Sequence, residues 1–140
     1  MVYPRMKKPL GQLLTESGEI TKEQLEEALA YQKERKTYLG KAILELGYIT
    51  ESELMSFLSG QLEVPFIQLE DYNIAPETLA KLPEHVCRKN HIIPLFSIGN
   101  TLSIGTSDPL NIDAIDAAHS ESGMEIEIIL CTETDIENAL

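Results

Sequence analysis

The chain has 140 residues, 43% of them hydrophobic, and a formal net charge of −12. That length suits one ordinary domain or two very small ones, and the apolar share supports a buried core. The acidic excess repels long polyanions, so neither DNA nor RNA is an expected partner. No apolar run approaches the roughly 18–20 residues that span a bilayer. The opening MVYPRMKKPLGQ has basic residues but no apolar stretch behind them, so it does not read as a secretory signal. Cys87 and Cys131 stand far apart, which points to a reduced, cytoplasmic chain rather than a disulfide scaffold.

In chain order, the first feature is a repeat. LGQLLTESGEITKEQLEEALAYQ from Leu10 and LGKAILELGYITESELMSFLSGQ from Leu39 align at an offset of 29 residues. Leu10, Gly11, Leu14, Gly18, Leu25, Leu29 and Gln32 match Leu39, Gly40, Ile43, Gly47, Leu54, Leu58 and Gln61. Each copy predicts a short helix, a Gly stop and a longer helix. Gly18 and Gly47 are the expected left-handed residues after the short helix. Thr21 with Gln24, and Thr50 with Glu53, have capping-box spacing, and Ile20/Leu25 and Ile49/Leu54 occupy the hydrophobic-staple positions. Residues 10–62 therefore predict a four-helix unit built from two helical hairpins, with a pseudo-twofold relation between them. Arg5, Lys7 and Lys8, then Lys33, Arg35 and Lys36, flank the first copy; solvated helix ends and a local positive patch both fit them. Gly11 and Gly40 call for an explanation beyond the fold. Gly in the opening turns of a helix costs about 1 kcal/mol against Ala, so a close approach to the backbone is expected there. Gln32 and Gln61 share the leucine face and need partners.

The second half predicts alternating strands and helices. Pro65–Leu69 reads as a strand-like run, and APETLAKLPEHVCRKNH as one or two short helices around Pro83. IIPLFSI and TLSIGT flank Gly99-Asn100 as a β-hairpin. A helix follows Asp108-Pro109 and runs to Gly123. MEIEIILC alternates Met124, Ile126, Ile128 and Leu130 on one face, a half-buried strand. Thr132 and Asp135 open a last helix. The expected class is α+β, with a duplicated helical-hairpin subdomain over residues 1–62 and a small α/β sandwich over 63–140. His85, Cys87 and His91 do not form a convincing metal site, because helical spacing puts His85 and Cys87 on opposite faces. No Gly-x4-Gly-Lys-Ser/Thr sequence occurs and no nucleophilic set has supporting context, so a non-catalytic domain without a resident cofactor or metal is expected.

The two copies lie on either side of the five residues KERKT. This pattern resembles the N-terminal domain of type II secretion and type IV pilus assembly ATPases. The likeness continues through IPLFSIGNTLSIGTSDPLNIDAIDAAHSESGMEIEIILCTETDIENAL. It implies a regulatory or docking domain that couples the motor to an inner-membrane platform protein, in the cytoplasm and peripheral to the membrane through that partner. A catalytic ATPase domain would accompany it if the chain is a fragment. In one branch of the family such tandem motifs bind cyclic di-GMP. Carried over, that branch implies a ligand site of Leu10, Gly11, Leu14, Gly18, Leu25, Leu29 and Gln32 with Leu39, Gly40, Ile43, Gly47, Leu54, Leu58 and Gln61. The binding branch opens each motif with Arg; here Pro9 and Tyr38 stand instead, with Lys7, Lys8 and Lys36 nearby in sequence.

Overall fold

A computed structural model describes residues 5–70 and 72–140. They fall into two compact units, residues 6–57 on the one hand and Arg5 with residues 58–140 on the other. The first contains α1 (Leu10–Glu16), α2 (Lys22–Arg35), α3 (Leu39–Glu45) and most of α4 (Glu51–Leu62). The repeat is visible atom by atom at the joints. After α1 the Glu19 amide donates to the Leu14 carbonyl (2.9 Å) and the Gly18 amide to that of Thr15 (3.2 Å); Gly18 has φ +81°. After α3 the Tyr48 amide donates to Ile43 (3.2 Å) and the Gly47 amide to Leu44 (3.0 Å), with Gly47 at φ +78°. Both are Schellman stops, which need a residue that enters the left-handed region cheaply.

Each stop runs straight into a capping box. The Gln24 amide donates to Thr21 Oγ1 (3.1 Å) and the Thr21 amide to Gln24 Oε1 (2.9 Å). Thr50 and Glu53 make the same reciprocal pair at 3.1 and 3.0 Å. The Thr50 amide and hydroxyl hold the Glu53 carboxylate below its ordinary pKa. Leu14, Ile20, Ala28, Ala42, Ile43, Ile49, Leu54 and Met55 then close into the core of this unit.

The second unit holds α5 (Pro76–Leu79), α6 (Glu84–Asn90), the hairpin β1 (Ile92–Ile98) and β2 (Thr101–Thr106), α7 (Ile112–Ser122), β3 (Glu125–Leu130) and α8 (Glu133–Ala139). β2 lies central, antiparallel to β1 and parallel to β3. One sheet face carries Ile92, Leu102, Ile104 and Ile126 under Leu82 and Cys87 from the α6 region and Ala114, Ile115 and Ala118 of α7. The other carries Ile93, Leu95, Ile129 and Cys131 under Leu69 and Ile136. Burial pushes the Cys87 thiol up to about 11 and the Cys131 thiol up to about 12, so both stay protonated at neutral pH.

Two local expectations change. Residues 65–69 form no strand; a single bridge joins Phe66 to Leu130, with the Leu130 amide donating to Pro65 (2.8 Å) and the Ile67 amide to Leu130 (3.0 Å). Pro65 has no amide to extend the ladder backwards, and the Leu69 amide donates to Asp135 Oδ2 (3.1 Å) instead. β3 is half-buried only at its start. Ile129, Leu130 and Cys131 are all buried, because Ile136 of α8 folds over the face opposite α7.

The loop before α7 is locked by its own side chains. The Asp108 amide donates to Thr106 Oγ1 (3.1 Å) and the Ala114 amide to Asn111 Oδ1 (3.2 Å), while Pro109 is buried. Burial raises the Asp108 pKa, partly countered by the Leu110 amide. A carboxyl raised on folding lends stability below its unfolded pKa and withdraws it as pH climbs through the folded value. Asp108→Asn, which keeps an acceptor for that amide, is therefore expected to raise Tm at pH 7 and to leave it unchanged at pH 3. Thermal denaturation at the two pH values checks this.

Candidate functional site

The openings of α1 and α3 carry the repeated Leu-Gly. Neither helix has a side-chain cap: Pro9 and Tyr38 occupy the N-cap positions, and only their carbonyls accept an amide, from Leu13 and Ala42 (3.1 Å each). Gly11 and Gly40 are both buried, but for different reasons. A Cβ on Gly11 would sit 2.6 Å from Leu25 Cδ1 and 3.2 Å from Leu39 Cδ2. The Gly therefore lets α1 lie directly on side chains of α2 and α3. A Cβ on Gly40 would meet Leu54 Cδ2 and the Tyr38 ring no closer than 3.5 Å, which is ordinary contact. Packing explains Gly11 and leaves Gly40 without a structural need.

The fourteen motif residues sort by exposure. Leu14 and Ile43 are fully enclosed, and Leu54 and Leu58 nearly so. Gly18 and Gly47 serve the Schellman stops and have open space where a Cβ would lie. Leu10, Leu25, Gln32 and Leu39 are half-buried, while Leu29 is 47% exposed and Tyr38 41% exposed. The structure thus brings Gly11, Leu25 and Leu39 together, and Gly40, Tyr38 and Leu54 together. Among the described residues the side chains of Gln32 and Gln61 make no hydrogen bond, and Gln61 is exposed.

The nearby cations are partly engaged. Lys8 Nζ lies 3.1 Å from Glu16 Oε2, and Gln12 donates to Glu16 Oε1 at 3.0 Å. The Gln12 amide and then Lys8 hold the Glu16 carboxylate below its ordinary pKa. Arg35 stands over the Tyr31 ring, 5.2 Å from its centroid. Two contacts that the repeat does not encode tie α2 to the second hairpin. The Tyr31 hydroxyl donates to Glu45 Oε2 (2.6 Å), and the Tyr48 hydroxyl donates to Glu27. Each carboxylate raises the pKa of the phenol it holds. At the offset of 29, Tyr31 aligns with Gly60 and Tyr48 with Glu19, so no repeat signal marks them.

A sequence profile described as the MshEN domain matches residues 62–140, more than half of the chain. The chain belongs to the MshEN domain family. The type IV pilus assembly ATPase PilB of Myxococcus xanthus is 34% identical over 131 residues, covering 94% of this chain and 23% of its own length. The bacteriophage adsorption protein B of Escherichia coli K12 is 27% identical over 136 residues, covering 97% of this chain and 18% of its own length. The chain thus spans about a quarter or less of the curated relatives it matches. A solved structure of MshE with cdg superposes with a TM-score of 0.84 at 31% identity, covering 95% of this chain and 96% of that one. The MshEN fold here is accordingly α+β, and the match takes in the repeated hairpins as well as the residues of the profile.

The two glycines of this MshEN domain are expected to respond differently to Ala. In Gly11→Ala the methyl must displace the end of the Leu25 side chain, at about 1–3 kcal/mol for an overpacked site, which matches or exceeds the helix-propensity gain of about 1 kcal/mol, so Tm holds or falls. In Gly40→Ala only the gain remains, so Tm holds or rises. Circular dichroism melts of the two variants decide between these signs.

Proposed function

We propose that this MshEN domain is the regulatory N-terminal region of a pilus assembly ATPase and that it binds cyclic di-GMP across its repeated hairpins. The observation that carries the reading is the likeness to MshE, solved with cdg, over nearly the full length of both chains. Three features of the site support it. A β-carbon at Gly40 would make only ordinary contacts with Leu54 and Tyr38, so packing does not demand the Gly. Gln32 and Gln61 have side-chain amides without partners among the described residues. Leu29 and Tyr38 offer apolar surface to solvent. A twofold-symmetric dinucleotide suits a duplicated site, each motif holding one half. The contacting set is Leu10, Gly11, Leu25, Leu29 and Gln32 with Leu39, Gly40 and Gln61. Leu14, Gly18, Ile43, Gly47, Leu54 and Leu58 shape the helices that present them.

Pro9 and Tyr38 set the strength of binding. An Arg offers a planar fork for a guanine edge or a phosphate, and Pro offers no substitute. Tyr38 supplies a stacking face and no charge. Each lost charge-assisted bond is worth about 1.5–3 kcal/mol, so the affinity is expected to be weaker by orders of magnitude than in a chain with both Arg residues. Calorimetric titration with cyclic di-GMP tests this. Tyr38→Arg should tighten binding at least about tenfold, as one regained contact implies. Gly40→Ala, which the fold tolerates, should weaken binding. No heat from either the natural chain or Tyr38→Arg would remove the nucleotide reading.

A second reading is docking to the inner-membrane platform protein, which would place the domain in the cytoplasm at the membrane surface. Among the described residues no helix is long and apolar enough to cross a membrane, so attachment would go through a partner. Pull-down by the cytoplasmic part of the platform protein is the expected result.

A further inference from the structure

The charge of the chain is divided very unevenly. Residues 58–140 contain 14 acidic residues against three basic ones, Lys81, Arg88 and Lys89, a net of −11 out of −12. In α8, Glu133, Asp135 and Glu137 face no Lys or Arg of their own helix. Within this unit lies a cavity of about 630 Å³, open to solvent. Its lining mixes the apolar Leu69, Tyr72 and Leu79 with the polar Glu70, Asp135 and Asn138. No basic residue lines it. Tyr72 and Leu79 are each 37% exposed, so two large side chains stand uncovered beside two carboxylates.

The cavity is held open by specific bonds. The Leu69 amide donates to Asp135 Oδ2 at 3.1 Å, which pins Leu69 to the start of α8. Thr132 caps that helix by accepting the Asp135 amide at 3.1 Å. The Tyr72 hydroxyl donates to the Leu95 carbonyl at 3.0 Å, which anchors the ring to β1. A preformed pocket lined by apolar and acidic side chains has a defined complement. It fits an apolar side chain whose neighbours in sequence are cations, since opposite charges around a desolvated anchor give both selectivity and fast association.

We propose that this cavity is a docking pocket for a protein segment in which an apolar residue is flanked by Lys or Arg. The net charge of −11 excludes an anionic membrane surface as the occupant on electrostatic grounds. The pocket deepens the docking reading by giving it a surface, and it is independent of the nucleotide site on α1–α4.

The probes are the peptides acetyl-KKLKK-amide and acetyl-EELEE-amide, followed by amide chemical shifts of the intact chain. The basic peptide should shift amides of residues 69–79 and α8, several-fold more weakly at 300 mM than at 50 mM salt, as screening of an acidic lining requires. The acidic peptide should shift nothing. Asp135→Asn keeps an oxygen for the Leu69 amide and should weaken binding at least about fivefold. Glu70→Gln serves as a second probe of the lining and should also weaken binding. Shifts spread over α7 and β3 alike, or affinity unchanged in both variants, would overturn the pocket, as would binding to anionic phosphatidylglycerol vesicles. Retention of the platform protein by variants that no longer bind the basic peptide would sink the pocket while leaving the docking reading standing. Failure of the natural chain to retain the platform protein would count against that reading instead.

Discussion

The joint between a short helix and a long one is the constraint on which the helical half depends. Gly18 and Gly47 each turn the chain through the left-handed region, where a β-carbon costs about 1–2 kcal/mol. The turn leaves the next helix without partners for its first amides, and Thr21 or Thr50 supplies one at once. Stop and start lie within a few residues, so the direction of α2 after α1 is set locally. The leucines then face inward because of that direction. A chain that lost the left-handed turn would still form helices, but their apolar faces would not meet in this arrangement.

The two copies share their joints and differ in what surrounds them. Gly11 is crowded by Leu25 and Leu39, whereas Gly40 has room. Leu29 is open to solvent while its counterpart Leu58 is buried. Two phenol–carboxylate bonds, Tyr31 to Glu45 and Tyr48 to Glu27, have no equivalent elsewhere in the repeat. A symmetric ligand on this duplicated frame would therefore meet two unequal halves. Charge adds a second asymmetry, because nearly all of the negative excess belongs to residues 58–140. The proposed nucleotide site and the proposed docking pocket thus draw on different parts of one domain.

Much of this was legible in the sequence. Glycine stops, capping boxes, the Gly99-Asn100 hairpin and the Thr132 cap all act between residues a few positions apart. Their bonds appear as the spacing predicts. Residues 65–69 were not legible in the same way. Their apolar run suggested a strand, but Pro65 stops the ladder and Asp135, 66 residues from Leu69, takes the next amide. The half-buried reading of β3 holds from Met124 to Glu127 and ends at Ile129, since alternation in MEIEIILC says nothing of α8 returning over the second face.

By itself the sequence determined where the helices begin and end, that the first half is a duplicated motif, and that the chain carries a large negative excess. These follow from short-range hydrogen bonding, backbone sterics and summed charge, none of which needs a distant partner. Tertiary structure decided which glycine is there for packing, which leucine stays exposed, and which acidic side chains line an open cavity. Those properties arise only when side chains far apart in sequence are brought within a few ångströms, and no local pattern records which ones will meet.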